Sequence, residues 1–180
     1  MKNSKSKKKR ILNAGQIKVV IERFAREMSR QYDNLDQVVF IGVRTRGPFV
    51  AKRLAEAIKK RYGKNIPVGE MDITLYRDDL NALLPGGTID HTRIPFDIAG
   101  KIVVLFDDVL NTGRTVRAAV DHLIDLGRPR MIHLAVMIDR GGRELPIAAN
   151  YVGKKIALRS GGNVEVRIKE VDKVDEVLVQ

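Results

Sequence analysis

The sequence predicts one α/β domain built on a mostly parallel, doubly wound sheet. Apolar strand segments alternate with amphipathic helices along the chain, the order expected of parallel strands joined by crossover helices. The segment Ile102–Phe106 is apolar throughout, as expected of a strand covered on both faces. A length of 180 residues and an apolar content of 44% fit one such domain with a sizeable core.

The first half of the chain predicts two helices and two strands. Apolar residues recur at helical spacing over residues 14–32, and Asn13 is a candidate for the N-cap of that helix. Proline suits the first turn of a helix and glycine suits its end. Three further elements are predicted before residue 76: a strand at Gln37–Val43, a helix that begins at Pro48 and ends at Gly63, and a strand at Val68–Leu75.

The second half begins with residues 76–100, which show no regular period. A segment of this length inside a compact domain is usually functional or mobile. The elements predicted after it are a strand at Ile102–Phe106, a helix at Thr115–Leu126 with Ile124 facing inward, and a strand at Met131–Ile138. Ligands of doubly wound sheets bind beyond the carboxyl ends of the strands. That rule selects three loops: 44–47, 107–115 and 139–146.

The charge of the chain is strongly positive. The net charge is +11, and six positive charges fall within the first ten residues, so residues 11–180 still carry +5. We interpret residues 1–10 as a disordered basic tail and residues 11–180 as the single domain; the alternative for the tail is an arm that contacts nucleic acid. The remaining positive charge of the domain indicates an anionic partner.

The sequence lacks two features, and their absence restricts the class of protein. No apolar run approaches the ~20 residues needed to span a bilayer, and the first residues lack the apolar core of a signal peptide, so no membrane segment is expected. The sequence has no cysteine, which excludes disulfides and thiolate metal sites and fits a reducing, cytoplasmic location.

The strongest chemical motif follows the first apolar strand of the second half. Two adjacent carboxylates, Asp107 and Asp108, end the strand, and a loop with Thr112, Gly113 and Thr115 leads into a helix. Backbone N–H groups at a helix start suit an anion, and a glycine lets them approach it closely. Ionised carboxylates accept from a pair of sugar hydroxyls or from magnesium-bound water. The alternative is that the aspartates are turn acids and a threonine is an N-cap.

This string resembles the motif with which type I phosphoribosyltransferases bind phosphoribosyl pyrophosphate (PRPP). The resemblance implies the fold of that family, a parallel sheet with a flexible loop and a small hood, and Mg²⁺ bound through PRPP without an assigned protein ligand. It also implies that Asp107 and Asp108 hold the ribose hydroxyls. The residues expected to wrap the 5′-phosphate are Thr112, Gly113, Arg114 and Thr115.

A second string resembles the pyrophosphate loop of the same family. Two guanidinium groups and a glycine suit a diphosphate, although by itself the string could also be a surface turn. Arg77, at the base of the 76–100 loop, is expected to help close the site, with a salt bridge to Asp78 or Asp79 as the alternative. The residues of the pyrophosphate loop are Arg44, Thr45, Arg46 and Gly47.

The resemblance extends to the PyrR family, whose members are uracil phosphoribosyltransferases that can also bind pyrimidine-operon mRNA. It covers residues 11–175 and implies that uracil and PRPP are converted to UMP and pyrophosphate. It further implies that UMP or UTP controls binding to an mRNA leader hairpin. The strings that carry this resemblance are Val43–Gly47, Met71–Asp79 and Asp139–Pro146.

Uracil is expected under the 139–146 segment. Asn111 stands where PyrR proteins often carry tyrosine and where purine enzymes of the superfamily often carry an aspartate. Because an amide cannot transfer a proton, this residue favours a pyrimidine base, and a purine phosphoribosyltransferase is the alternative. The candidates for reading the base through backbone groups are Met137, Ile138, Asp139 and Arg140.

Basic residues form a candidate surface for RNA. Arginines of the helix over residues 14–32 lie off its apolar stripe, and basic residues from later loops could join them. The alternatives are a merely solvated helix face and a non-catalytic, RNA-binding nucleotide sensor. We also expect a homo-oligomer, a dimer or higher. The RNA candidates are Arg23, Arg26, Arg30, Arg143, Lys154 and Lys155.

Overall fold

The computed structural model describes residues 8–76, 91–158 and 162–180 of the chain. The strands in those ranges are β1 (Lys9–Asn13), β2 (Val38–Val43), β3 (Val68–Met71), β4 (Ile102–Leu110), β5 (Met131–Asp139), β6 (Tyr151–Lys155), β7 (Val164–Arg167) and β8 (Glu176–Val179). The α-helices are α1 (Ala14–Gln31), α2 (Gly47–Tyr62), α3 (Arg114–Leu126) and α4 (Lys169–Asp172). Within those ranges, none of the helices combines the length and the apolar character needed to cross a membrane.

Five strands form the central sheet in the order β3-β2-β4-β5-β6, and each neighbouring pair is parallel. The predicted parallel α/β fold is therefore confirmed. From β2 the chain moves to the edge strand β3 and then crosses to the other side of β2 to form β4. The carboxyl ends of β2 and β4 thus flank the point at which the winding direction changes. This is the position where doubly wound sheets bind ligands.

Helices cover both faces of the central sheet. On one face α1 and α2 pack against Phe40, Phe106 and Met137, and on the other face α3 packs against Ile41 and Leu105. Successive strand residues point to opposite faces, so each apolar strand supplies both cores. The rings of Phe40 and Phe106 meet edge to face with centroids 4.9 Å apart, at the centre of the first core.

Helix α1 begins with a capping box. The Asn13 side chain accepts from the Gln16 N–H at 2.9 Å, and the Gln16 side chain accepts from the Asn13 N–H at 2.9 Å. Two N–H groups at the helix start are satisfied in this way, which typically contributes about 1 kcal/mol. The predicted helix and its cap are confirmed. Ile17, Phe24 and Met28 form its buried stripe.

The turn from β2 into α2 brings backbone into direct contact with backbone. A Cβ atom on Gly42 would lie 2.1 Å from the Pro48 nitrogen, and a Cβ atom on Gly47 would lie 2.4 Å from the carbonyl oxygen of Phe106. No side chain can be accommodated at either position without moving the main chain. The start of α2 therefore abuts the end of β4.

The two ends of the described chain form a second sheet, in the order β1-β8-β7, with antiparallel pairing. Leu12, Val166 and Val177 of these strands are buried in the same core as α1 and α2. The short helix α4 connects β7 to β8. This small lobe corresponds to the hood expected from the sequence, and it places α4 beside the start of α2.

The predicted strand at Val68–Leu75 is too long. Strand β3 ends at Met71, because the carboxylate of Asp72 accepts from the backbone N–H of Thr74 at 3.0 Å and from its hydroxyl at 2.6 Å. These hydrogen bonds form a local turn that competes with strand pairing. A turn of 3₁₀-helix follows over residues 74–76.

The predicted strand Ile102–Phe106 is too short. Strand β4 continues to Leu110, because Asp107 and Leu110 pair with Val136 and Asp139 of β5. The two carboxylates of the motif therefore belong to the strand rather than to the loop behind it. A strand holds their directions more firmly than a loop would.

Two smaller predictions are also corrected. Ile124 was expected to face inward but is 61% exposed, because α3 buries its neighbour Leu123 and turns by about 100° per residue. Lys9 and Arg10 were expected in the disordered tail, but both belong to β1 and pair with β8. The domain thus begins before residue 11.

Candidate active site

The three loops selected from the sequence meet at the carboxyl edge of the central sheet. Arg46 Nη1, after β2, lies 3.9 Å from Asp108 Oδ2 near the end of β4. The Arg140 N–H, after β5, donates to the Leu110 carbonyl at 3.1 Å. The loops after β2, β4 and β5 therefore border one continuous site.

Asp107 and Asp108 present two carboxylates from the last part of β4. Asp107 is 7% exposed, and its Oδ1 accepts from the Asp108 N–H at 2.9 Å. Burial raises the pKa of the Asp108 carboxyl, and the Arg46 guanidinium and the Val109 N–H oppose that rise. The Asp108 side chain is 28% exposed. It is thus a partly accessible carboxylate beside a cation.

A cavity with the features of an anion site, which we call the anion pocket, lies at the start of α3. The cap residue Gly113 has a φ of +96°, which favours glycine, and it has no side chain with which to cap the helix. The Arg114 N–H donates to the Thr112 hydroxyl at 3.3 Å. A cavity of about 290 Å³ is lined by Asp107 and residues 109–116. Backbone N–H groups and the helix dipole make such a cavity favourable for a phosphate.

Two arginines after β2 flank the same edge. Arg44 Nη1 lies 3.8 Å from Glu70 Oε2, and the Arg44 side chain is 43% exposed. Arg46 donates from Nε and Nη2 to the carboxylate of Asp172 in α4, at 2.9 and 2.8 Å. Its remaining nitrogen, Nη1, is the one that faces Asp108. The predicted pyrophosphate loop thus borders the carboxylates of β4.

Arg143 ties two loops of the site together. Its guanidinium donates to the carbonyl oxygens of Asn111 and Ile147, at 2.7 and 2.9 Å, and to the Asp139 carboxylate at 2.6 Å. Burial acts to raise the pKa of Asp139, but the hydrogen bonds from Arg143 and from the Gly141 N–H hold that pKa below its usual range. The expectation that Arg143 faces RNA is corrected, because its guanidinium is directed into the loops.

The expected base-reading segment is only partly at the surface of the site. Met137 and Ile138 are 1% and 0% exposed, and Ile138 pairs with strands on both sides. They therefore lie in the core, and the expectation that they read the base is corrected. Asp139 and Arg140 lie at the rim, where Arg140 Nη2 donates to the Gly162 carbonyl at 2.7 Å.

The segment 76–100 shows no regular period in the sequence. The structure describes residue 76 and residues 91–100 of it. Arg77, expected to help close the site, lies outside the described residues. The backbone of Arg93 exchanges two hydrogen bonds with Glu70 of β3, at 2.9 and 2.8 Å, and Ile98 is buried. The end of this segment is thus fixed against the edge of the central sheet.

Arg23 is a structural contact between α1 and β6. Its Nη2 donates to the carbonyl oxygens of Val152 and Gly153, at 2.7 and 3.0 Å, and its Nη1 donates to Glu27 at 3.0 Å. Arg23 was expected as an RNA contact off the apolar stripe; its side chain is 37% exposed but is held against β6, a contact that sequence spacing cannot show.

The other RNA candidates lie around the same helix and strand. Arg30 is exposed and Arg26 is half-buried on α1, while Lys154 and Lys155 are exposed at the end of β6. Lys154 Nζ contacts the Ile11 carbonyl at 3.3 Å, just before α1. The hydrogen bonds from Arg23 to β6 place the helix and the strand side by side, which the sequence could not establish.

Sequence reasoning missed Asp172. This residue is separated from Arg46 by 126 positions, yet it receives two N–H groups of that guanidinium. In the sequence, Asp172 is recognisable only as one of several acidic residues in a short stretch that also contains Glu170 and Asp175. Such stretches are common on surfaces, so the pairing becomes visible only when the hood is folded against α2.

Magnesium fits this site in combination with oxygens of the substrate. Among the residues that the structure describes, no three His, Cys, Asp or Glu side chains are grouped closely enough to hold a metal ion. Mg²⁺ usually keeps several waters and binds through one or two carboxylates together with phosphate oxygens. Asp107 and Asp108 are carboxylates of the kind that would complete such a set.

Replacement of Arg143 by lysine should destabilise the protein. A single ammonium group cannot reach Asn111, Ile147 and Asp139 at once, so partly buried acceptors lose their donors. We expect the free energy of unfolding in urea to fall by about 2 kcal/mol. The matched control is Arg117→Lys, at an exposed ion pair with Asp121, where the change should stay within about 0.5 kcal/mol. Equal losses in both variants would contradict the proposed cross-link.

The sequence of the chain matches the phosphoribosyl transferase domain family over residues 7–170. It is similar to proteins named bifunctional protein PyrR. The PyrR of Chloroflexus aurantiacus is 52% identical over 171 residues, which are 95% of this chain and 94% of that protein. The PyrR of Thermus thermophilus is 48% identical over 170 residues, which are 94% of each chain.

Solved structures share the fold at low sequence identity. A hypoxanthine phosphoribosyltransferase of Trypanosoma cruzi gives a TM-score of 0.71 at 17% identity, covering 95% of both chains. One from Staphylococcus aureus gives a TM-score of 0.71 at 19% identity, covering 94% of this chain and 90% of that chain. This likeness shows the fold alone, whereas the sequence matches show the family. The chain belongs to the phosphoribosyltransferase family and, within it, to the PyrR proteins.

Proposed function

We propose that this protein is a uracil phosphoribosyltransferase, which makes UMP and pyrophosphate from uracil and PRPP. One observation carries the proposal: the paired carboxylates of β4 lie between the anion pocket at the start of α3 and the guanidinium of Arg46. PRPP carries a 5′-phosphate, two ribose hydroxyls and a diphosphate. The site offers a complementary group for each of these three parts.

The 5′-phosphate is assigned to the anion pocket and the ribose to the carboxylates. The backbone N–H groups of residues 112–115, together with the hydroxyls of Thr112 and Thr115, are donors of the type that phosphate requires. Asp107 and Asp108 are acceptors for the 2′- and 3′-hydroxyls. Their negative charge also favours the positive charge that develops on the ribose as its bond to pyrophosphate breaks.

The diphosphate is assigned to the loop of residues 44–47. Arg44 and Arg46 are donors for its oxygens, and Thr45 and Gly47 bring backbone groups to the same place. Mg²⁺, bound with PRPP, would supply further charge neutralisation of the leaving pyrophosphate. In the transfer, the C1–O bond to pyrophosphate breaks, a bond from C1 to N1 of uracil forms, and the N1 proton is released. The protein's contribution is positioning and electrostatic stabilisation.

A pyrimidine base is favoured over a purine at this site. A Cβ atom on Gly142 would lie 3.0 Å from Asn111 Oδ1, so the Asn111 amide adjoins the loop assigned to the base. An amide can hydrogen-bond to a base but cannot shuttle its proton. Asp139 and Arg140, at the rim of that loop, are the residues we assign to the base edge.

Base choice provides the direct test of the enzyme proposal. We expect UMP to form from uracil and PRPP, with hypoxanthine, guanine and orotate reacting far more slowly in competition. Chelation of Mg²⁺ should abolish turnover, because the diphosphate would lose charge neutralisation. The measurement is chromatographic separation of the nucleotides formed. Preferred use of a purine would replace the proposal by its alternative, and UMP binding without turnover would indicate a nucleotide sensor.

We further propose that the protein binds the mRNA leader of pyrimidine genes under the control of UMP or UTP, as a cytoplasmic homo-oligomer. Two observations support the RNA proposal: the PyrR relatives are named bifunctional, and Arg26 and Arg30 of α1 and Lys154 and Lys155 of β6 lie on neighbouring elements. Basic side chains supply phosphate contacts, while unpaired loop bases of a hairpin supply sequence specificity.

Removal of two arginines should weaken this RNA binding selectively. In a filter-binding titration, the Arg26→Ala/Arg30→Ala variant should bind a pyrimidine-operon hairpin more weakly than the unmodified protein. Each lost phosphate contact should make the log–log salt slope shallower by about 0.7 to 0.9. Arg23 is kept, since it fastens α1 to β6.

The matched control is the Lys59→Ala/Lys60→Ala variant, which removes the same charge from the exposed end of α2. Its affinity for the hairpin should remain close to that of the unmodified protein. Equal weakening in both variants, or equal affinity for a scrambled RNA, would leave only non-specific attraction to a protein of net charge +11.

A further inference from the structure

Two arginines of the α2 region reach across to carboxylates of the hood. Arg46, immediately before α2, binds Asp172 with two hydrogen bonds, at 2.9 and 2.8 Å. Arg53, about two turns further along α2, binds Asp175 at 2.8 Å and also binds Glu170 through Nε at 2.8 Å. The segment around α4 is thus fastened to α2 at two successive points, and only the first of these points borders the active site.

Asp172 occupies one edge of the Arg46 guanidinium and leaves the opposite edge for a ligand. Asp172 uses Nε and one hydrogen of Nη2, so the N–H groups of Nη1 remain directed towards the ligand side. Nη1 lies 3.9 Å from Asp108 Oδ2. A guanidinium has five N–H donors in a rigid plane, so a carboxylate on one edge fixes the direction of the other edge. Asp172 thereby fixes Arg46 with Nη1 facing the ligand side of the site.

Asp172 is itself held in place. Its Oδ2 accepts from the Ile168 N–H at 2.8 Å, which anchors the carboxylate to the start of α4. The hydrogen bond from Arg46 holds the pKa of Asp172 below its usual range, and the same bond raises the pKa of Arg46. The side chains of Arg46 and Asp172 are 28% and 17% exposed. A charge-assisted, bidentate and partly buried contact of this kind restricts a long side chain to one direction.

We propose that Asp172 of the hood is a positioning residue for phosphoribosyl transfer, which orients the Arg46 guanidinium so that Nη1 meets the pyrophosphate of PRPP. The proposal rests on the proposed function, because it takes Arg46 as a ligand of the diphosphate. Without Asp172, Arg46 can adopt other rotamers, and the competing contact with Asp108 can draw it away from the leaving group. The hood then shapes the pyrophosphate half of the site.

Asp175 provides a matched control for Asp172. Each carboxylate holds an arginine of the α2 region and accepts a backbone N–H of the same short segment: Ile168 in one case and Lys169 in the other, both at 2.8 Å. Both side chains are 17% exposed. The two aspartates therefore contribute similarly to the attachment of the hood, but the arginine held by Asp175 lies away from the site.

The test compares Asp172→Asn with Asp175→Asn in steady-state synthesis of UMP. In Asp172→Asn we expect kcat/KM for PRPP to fall about tenfold, because orientation of the leaving group is lost, while the KM for uracil changes by less than about twofold. Asp175→Asn should match the unmodified enzyme in both constants. Thermal unfolding of both variants checks that they fold and lose similar stability.

Two further variants separate positioning from general destabilisation. In an Arg46→Ala background, Asp172→Asn should cause little additional loss, because the group that it orients has gone. Asp172→Glu should recover part of the kcat/KM for PRPP, because it restores the charge at the same place. Equal kinetic losses in Asp172→Asn and Asp175→Asn, or additive losses with Arg46→Ala, would overturn the proposal. No UMP synthesis by the unmodified enzyme would instead reject the proposed function.

Discussion

The close approach of α2 to β4 is the constraint on which the site depends. Because Gly47 has no side chain, the first turn of α2 lies against the carbonyl oxygen of Phe106, and Gly42 allows the same turn to close over β2. This places Arg46 within 3.9 Å of the Asp108 carboxylate. A cation for a leaving group and an acceptor for a sugar are thus brought together by main-chain packing. A parallel sheet makes this possible because its strand ends share one edge.

Two cross-links then hold the loops of this edge together. Arg143 joins the loop after β5 to the loop after β4 through carbonyl oxygens, and Asp172 joins the hood to the loop after β2. Each uses an arginine, whose planar donors can satisfy several acceptors in fixed directions. The groups that we assign to PRPP therefore stand in position before a ligand arrives, which lowers the ordering cost of binding.

Much of the architecture follows from the sequence because its signals are local. The capping residue Asn13 and the apolar stripe of α1 predict that helix, and the string from Asp107 to Thr115 predicts an anion site before a helix. The predictions that were wrong concern contacts between segments that are distant in the sequence. Pairing with β5 extends β4 through both carboxylates, and Met137 and Ile138 are buried in the core. Hydrogen bonds hold Arg23 against β6 and Arg143 against the loops of the site. No spacing rule connects Asp172 with Arg46.

The central claim is that the carboxylates of β4 and the start of α3 form the PRPP site, and calorimetric titration with PRPP and Mg²⁺ tests it most directly. The account predicts binding to the unmodified protein and a dissociation constant at least about tenfold higher for Asp108→Asn, which loses a charged acceptor. Asp121→Asn, at an exposed ion pair of α3, should bind PRPP normally. Equal affinities for the unmodified protein and Asp108→Asn would contradict the account.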